Sequence, residues 1–181
     1  MTNSLEKILV FDLETQRGFD EVGGRMGIPK MGMSVGVVYD YQTDKFTAYL
    51  EKDAQKLIAE LLSSTLVVGF NLLSFDYPVL SAYSEQDLQK IKTLDMMRVL
   101  ESKLGFRPKL NDLVSASLGA KKSADGLMAL QWYREGKLAE VSKYCQEDVR
   151  LTKELYEFGR KNGFVHLLQK YGPNKQIEVS W

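Results

Sequence analysis

Residues 7–15 read KILVFDLET, an apolar run closed by two acids. Lys7 to Leu13 is short, apolar and bounded by polar residues, which reads as a buried strand. Side chains alternate across a strand, so Asp12 and Glu14 project from one face at neighbouring positions. Two like charges at the end of a buried strand repel each other and resist desolvation. A bound cation resolves the conflict, and magnesium or manganese suits oxygen ligands of this kind. The plainer alternative, a strand end whose acids reach solvent, stays open on this pair alone.

Outward from this strand the pattern is mixed α/β. Ser34 to Tyr41 and Lys45 to Glu51 flank the turn Gln42-Thr43-Asp44 and read as an antiparallel hairpin. Asp53 is placed to cap a helix over Ala54 to Leu62, whose Leu57, Ile58, Leu61 and Leu62 keep helical spacing. Leu66 to Phe70 reads as a second buried strand. A helix follows near Ser74 with Pro78 in its first turn, and Ile91 to Met96 reads as a fifth strand. From Met97 the pattern is helical almost to the end, broken near Gly105, Gly119, Gly126 and Gly136. Residues 16–32, with five glycines and a proline, are expected to be irregular: a mobile lid, a strand guide or a disordered insertion. Residues 173–181 form a short tail, either loosely held or added as an edge strand. With no linker or repeat, residues 1–181 read as a single domain.

Composition narrows the function classes. The chain has 181 residues, 24 basic and 24 acidic side chains, one His and one Cys. With 44% hydrophobic and 27% charged residues it is neither disordered, collagen-like nor a coiled coil. No apolar run is long enough for a bilayer span, and the largely polar residues 1–7 are not a secretory signal, so no membrane association is expected. One cysteine allows neither an internal disulfide nor a Cys/His zinc site, and the expected location is cytoplasmic. Zero net charge argues against a large electrostatic footprint on nucleic acid, while leaving room for a local one.

Two further stretches carry candidate chemistry. In residues 68–76, VGFNLLSFD, a strand runs into a turn and Asp76 falls in the first turn of the next helix. A carboxylate there is also favoured by the helix dipole, and Asn71 also suits a turn. In residues 144–148, YCQED, Tyr144 and Asp148 lie four apart on one helix face. Asp148 shares the apolar stripe of Val141, Leu151 and Leu155, and no Lys or Arg occupies the stripe beside it. An acid at the stripe's edge reaching solvent is the alternative.

Taken in order, Asp-x-Glu, then Asn-x-x-x-Phe-Asp, then Tyr-x-x-x-Asp resembles the DEDD superfamily of 3′-to-5′ exonucleases, with their ribonuclease H-like fold. The last motif is similar to the tyrosine subclass, which includes the proofreading domains of family B DNA polymerases and ribonuclease D. The resemblance runs from Ile8 to Leu155. It includes Asp12-Leu13-Glu14-Thr15, Leu94-Asp95-Met96-Met97, and Leu110-Asn111-Asp112-Leu113 with Leu118-Gly119. It implies a mixed sheet of about five strands flanked by helices. It also implies a metal-dependent exonuclease that releases nucleoside 5′-monophosphates from DNA or RNA 3′ ends, with single-stranded ends the expected ones though the sequence does not separate them from duplex ends. Zero net charge points to modest intrinsic affinity and so to a helicase or polymerase partner. By matching position, Asp12, Glu14, Asp76 and Asp148 would hold two magnesium or manganese ions, whose charge neutralises the four carboxylates. Tyr144 would orient the attacking water. Leu13, Thr15, Asn71 and Phe75 would contact the terminal nucleotide.

Some residues fall outside this pattern. The sibling subclass carries a histidine about five residues before its last Asp, where this chain has Lys143. His166 lies 18 residues beyond Asp148 and reads as structural or surface, and Cys145 as packing. Arg17, Arg25, Lys30, Arg107, Lys109, Lys121 and Lys122 are scattered candidates for phosphate contacts, or a solvated face. Trp132 and Tyr133 read as core before base-stacking platforms. Two rival classes are a structure-specific endonuclease on the same fold and a non-catalytic nucleic-acid-binding scaffold. The tyrosine motif speaks against the first. The clustered acids, from which a scaffold gains nothing, speak against the second.

Overall fold

The computed structural model describes residues 6–120 and 126–181. Lys121 and Lys122 lie outside the described residues. The core is a five-stranded sheet in the order β3-β2-β1-β4-β5. Its strands are β1 (Ile8–Thr15), β2 (Met33–Asp40), β3 (Lys45–Leu50), β4 (Leu66–Gly69) and β5 (Thr93–Asp95). β1 runs antiparallel to β2 and parallel to β4, so the KILVFDLET stretch forms the middle of a mixed sheet. β2 and β3 form the expected hairpin. The helices are α1 (Phe19–Val22), α2 (Ala54–Leu62), α3 (Tyr77–Leu80), α4 (Met96–Leu104), α5 (Leu110–Leu118), α6 (Gly126–Arg134) and α7 (Leu138–Asn162).

Alternation along β1 divides the core in two. Leu9, Phe11 and Leu13 pack with Leu57, Ile58 and Leu61 of α2 and Val79 and Leu80 of α3. Val10 points the other way, with Val35, Val37 and Val68, onto Val141, Cys145, Val149 and Leu151 of α7. Asp12 and Glu14 share the parity of Val10, so they face the α7 layer. β4 pairs with β1 only from Ile8↔Leu66 to Val10↔Val68. β1 then continues to Thr15 while the chain turns away after Gly69, which opens a crevice at the carboxyl ends of two parallel strands.

Two expectations are corrected, and one left open, the tail, is decided for a strand. Residues 16–32 are built of α1 and a 3₁₀ helix over Arg25–Lys30, with Ile28 and Met31 buried. The segment closes on itself through Gln16 N–H to Gly32 O (3.0 Å), and Gly23, Gly24 and Gly32 supply left-handed turns that side chains disfavour. The tail is not loose. The helical pattern stops at Gly163, a left-handed C-cap, and β6 (Phe164–Leu167) pairs antiparallel with β7 (Lys175–Glu178) away from the main sheet. Trp181 Nε1 donates to Tyr156 O (3.1 Å), and its indole fits because position 159 carries no Cβ. Asp53, finally, makes no side-chain cap. A 3₁₀ turn over Glu51–Asp53 precedes α2, and the carboxylate takes Lys56 Nζ instead (2.7 Å).

Candidate active site

The crevice beside β1 holds the acids. Asp12 and Glu14 come from the strand's last turns of pleat, and Asp148 comes from the middle of α7, which crosses that face of the sheet. Carboxylate oxygens of Asp12, Glu14 and Asp148 all lie within 4.8 Å of one another. Asp12 and Glu14 are half-buried and Asp148 is buried. Asp76 is not a member of this tight trio, but it lines the same cleft of about 510 Å³. It is 2% exposed, and its Oδ1 accepts the backbone N–H of Leu13 (3.1 Å). Burial, and then the charge of Asp12, push its carboxyl well above the usual range, against the pull of the Leu13 N–H.

The turn that delivers Asp76 has its own anchor. Asn71 sits at φ 77°, a left-handed position that asparagine tolerates. A tight π-type turn over Leu72–Asp76 follows. Asp95, at the end of β5 and 4% exposed, accepts the backbone N–H of Asn71 (2.8 Å) and of Leu73 (3.1 Å). The sequence offered Asp95 only as part of a motif segment. Its contact with the turn is visible only in three dimensions.

Tyr144 is 3% exposed and hydrogen-bonds Asp148. Burial, then the charges of Asp148, Glu14 and Asp12, raise its ionisation far above the ordinary tyrosine value, so the hydroxyl stays protonated. Trp132 packs against it, with ring centroids 6.3 Å apart. Cys145 is fully buried, and its Sγ lies 3.4 Å from Asp12 O and 3.7 Å from Asp12 Oδ2. It is packing, as read, but packing against a site carboxylate. Burial and the surrounding acids push its thiol well up, which keeps it protonated.

The remaining predicted contacts fall around the same cleft. Leu13, Thr15, Asn71 and Phe75 line it, joined by Arg17, Phe19 and Leu130, of which only Arg17 was singled out beforehand. Phe19 and Leu130 carry no signal of their own in the sequence, because exposed or half-exposed apolar residues are common. Arg107 and Lys109 line an adjoining hollow with Asp12 and Asp148. Arg25 and Lys30 are exposed and line neither of these hollows. His166 is on β6, its ring 5.0 Å from that of Phe164, away from the acids. Trp132 and Tyr133 are half-buried and pack on the core. All-oxygen donors this close together fit a hard divalent cation and would suit zinc or copper poorly. Among the described residues, no helix is long and apolar enough to cross a membrane.

Comparison with known proteins agrees with this architecture. No curated protein matches the sequence. Among solved structures, the family B DNA polymerase from the hyperthermophilic archaeon Pyrobaculum calidifontis superposes with a TM-score of 0.66 at 14% identity. The superposition covers 86% of this chain but 24% of that polymerase, so the likeness is one of fold. The RNase_H superfamily model matches residues 9–158, from β1 to the last turns of α7. A five-stranded mixed sheet, helices on its faces and a match over most of its length place the chain in the RNase_H superfamily.

Proposed function

We propose that the protein is a metal-dependent 3′-to-5′ exonuclease that hydrolyses phosphodiester bonds at nucleic-acid ends and releases nucleoside 5′-monophosphates. The observation that carries this reading is the trio Asp12, Glu14 and Asp148 within 4.8 Å, lining one recess with Leu13, Thr15 and Phe75. Tyr144, one helical turn before Asp148 and hydrogen-bonded to it, supports an exonuclease over an endonuclease. Asp12, Glu14 and Asp148 would hold divalent cations, magnesium or manganese, with Asp76 behind them. When bound, a pair of such ions would generate the nucleophilic hydroxide and stabilise the leaving 3′ oxygen.

The chain's own groups do the rest. Tyr144, held protonated and hydrogen-bonded to Asp148, offers its hydroxyl to position the attacking water. Phe75 and Phe19 provide apolar surface for the terminal base and sugar, Leu13 borders the recess from its buried position, and Thr15 and Asn71 provide polar atoms beside the sugar or phosphate. The Asn71 side-chain oxygen is buried without a hydrogen-bond partner in the structure, a polar atom that a ligand could satisfy only if the side chain turns toward the cleft. The test is incubation of the purified protein with 5′-labelled DNA and RNA oligonucleotides, with and without manganese. A ladder of products shortened from the 3′ end, only with the cation, is expected. Internal cuts, or no cleavage with either polymer, would refute the assignment.

A further inference from the structure

The cleft continues beyond the acids. Phe70, Asn71, Asp12 and Asp148 also line a second hollow of about 350 Å³, together with Arg107, Pro108 and Lys109. Those same three residues line a third hollow of about 490 Å³, together with Phe106, Lys170 and Tyr171. Neighbouring hollows thus share lining residues, and the three follow one another in a row, a furrow that leads away from the catalytic recess past Arg107, Pro108 and Lys109. Its outer part is built from the α4–α5 connection and the segment after β6. The two are tied where Leu168 N–H donates to Asp112 O (3.2 Å).

The chemistry of this furrow is mixed in a specific way. Phe106 is 53% exposed and Tyr171 is 79% exposed, although both are large aromatics. Cations accompany them. Lys170 Nζ lies 5.4 Å from the Tyr171 ring centroid, and Lys109 and Arg107 stand between the rings and the acids. Arg107 also contacts Glu101 (3.0 Å), and among the described residues Asp112 is the one carboxylate lining the outer hollow. Exposed ring faces interspersed with cations match a single-stranded polynucleotide, which offers a base face and a phosphate at every step. Continuity with the acid cluster favours that occupant over a protein.

The geometry points to this furrow as the binding track for the single strand behind the 3′ end. With the last nucleotide in the recess, the preceding ones pass Lys109 and Arg107, and their bases stack on Phe106 and Tyr171. This inference rests on the 3′-end reading of the site.

Binding is measured on the full chain, in chelator, by fluorescence anisotropy. The probe is a labelled oligothymidylate about 12 nucleotides long, within the usual span of single-strand sites. The double variant Phe106→Ala/Tyr171→Ala should weaken binding at least about 30-fold through two lost stacks. Lys109→Ala/Lys170→Ala should weaken it as well, and should reduce the slope of log K against log salt by about 1.4, near 0.7 per cation. Melting temperatures act as the folding control. The aromatic variant should also lower the ratio of kcat/KM on the long strand to that on a dinucleotide by at least about 30-fold, through KM.

If both variants bind as the parent does, with the parental salt slope, the track is refuted and the rings are a protein-contact surface. If the parent binds neither oligothymidylate nor oligouridylate, the track is refuted outright. The tighter of those two strands identifies DNA or RNA as its ligand. A parent that binds, with both variant losses, but never cuts keeps the track and refutes the exonuclease.

Discussion

Replacing Asp12 with Asn removes one charge from a trio whose oxygens lie within 4.8 Å, while keeping the side chain's size and most of its hydrogen bonding. At 4.8 Å and an effective dielectric of about 20, each like-charge pair costs ~3.5 kcal/mol, so two pairs with Glu14 and Asp148 approach ~7 kcal/mol before screening. Asp12 and Glu14 are half-exposed, and water and salt reduce this to about 1–3 kcal/mol. Asp12 is also a main charge raising the Asp76 carboxyl, so its removal eases that group too. In chelator, Asp12→Asn should therefore melt above the parent, by ~2–10 °C for a chain of this size. With millimolar manganese the order should narrow or invert, because the parent gains more from the cation than the variant does. In manganese, cleavage should be lost. The assay is a thermal melt of parent and variant in chelator and in manganese. A variant that melts several degrees below the parent in chelator would mean that the carboxylate is satisfied by the fold, and the electrostatic argument would fail.

Three other outcomes follow from the same geometry. Tyr144→Phe should retain cation binding and lower single-turnover cleavage by up to ~10²-fold, and Asp148→Ala should be worse; cleavage at the parental rate would reduce Tyr144 to packing. Asp95→Ala leaves the backbone N–H groups of Asn71 and Leu73 without their carboxylate, and should cost ~2–4 kcal/mol in urea unfolding along with most activity; a loss under ~1 kcal/mol would show that the turn supports itself. Burial, helped by the Asp44 hydrogen bond, pushes Tyr39 up to about 12, and burial does the same for Tyr83. In the unfolded chain these phenols ionise near pH 10. Their contribution is therefore complete below that pH and is lost as pH rises toward 12, so the melting temperature should fall steadily above pH 10. A flat profile to pH 11.5 would contradict that.

Much of the fold is legible in sequence because burial enforces simple periods. KILVFDLET must sit in the middle of a sheet if both its alternating faces are to be covered, and the α7 stripe of Val141, Leu151 and Leu155 places Asp148 inward. The convergence of Asp12, Glu14 and Asp148 follows from strand parity and helical phase, both local rules. What escapes such rules depends on contacts distant in sequence. Asp95 acts on Asn71 and Leu73, 24 and 22 residues earlier, and no periodicity reports it. Residues 16–32 look structureless because glycine raises their polarity and breaks their pattern. Yet a few anchors, Ile28 and Met31, suffice to fold them as short helical turns. β6 is masked by the long helix before it. Gly163 and the alternation of Val165 and Leu167 were the available clues, in a segment too short to outweigh that helix.

The alternation along β1 has a further consequence, for assembly of the sheet. A side chain in a strand changes face with every one-residue shift in pairing. If β1 slipped by one against β2 and β4, Asp12 and Glu14 would be driven into the apolar layer of α2 and α3 that now receives Leu9, Phe11 and Leu13. Two carboxylates buried there would cost several kcal/mol, more than a slipped apolar strand alone would lose. The acids that strain the native site without cations therefore exclude the nearest misfolded register, and the central strand has one alignment it can keep.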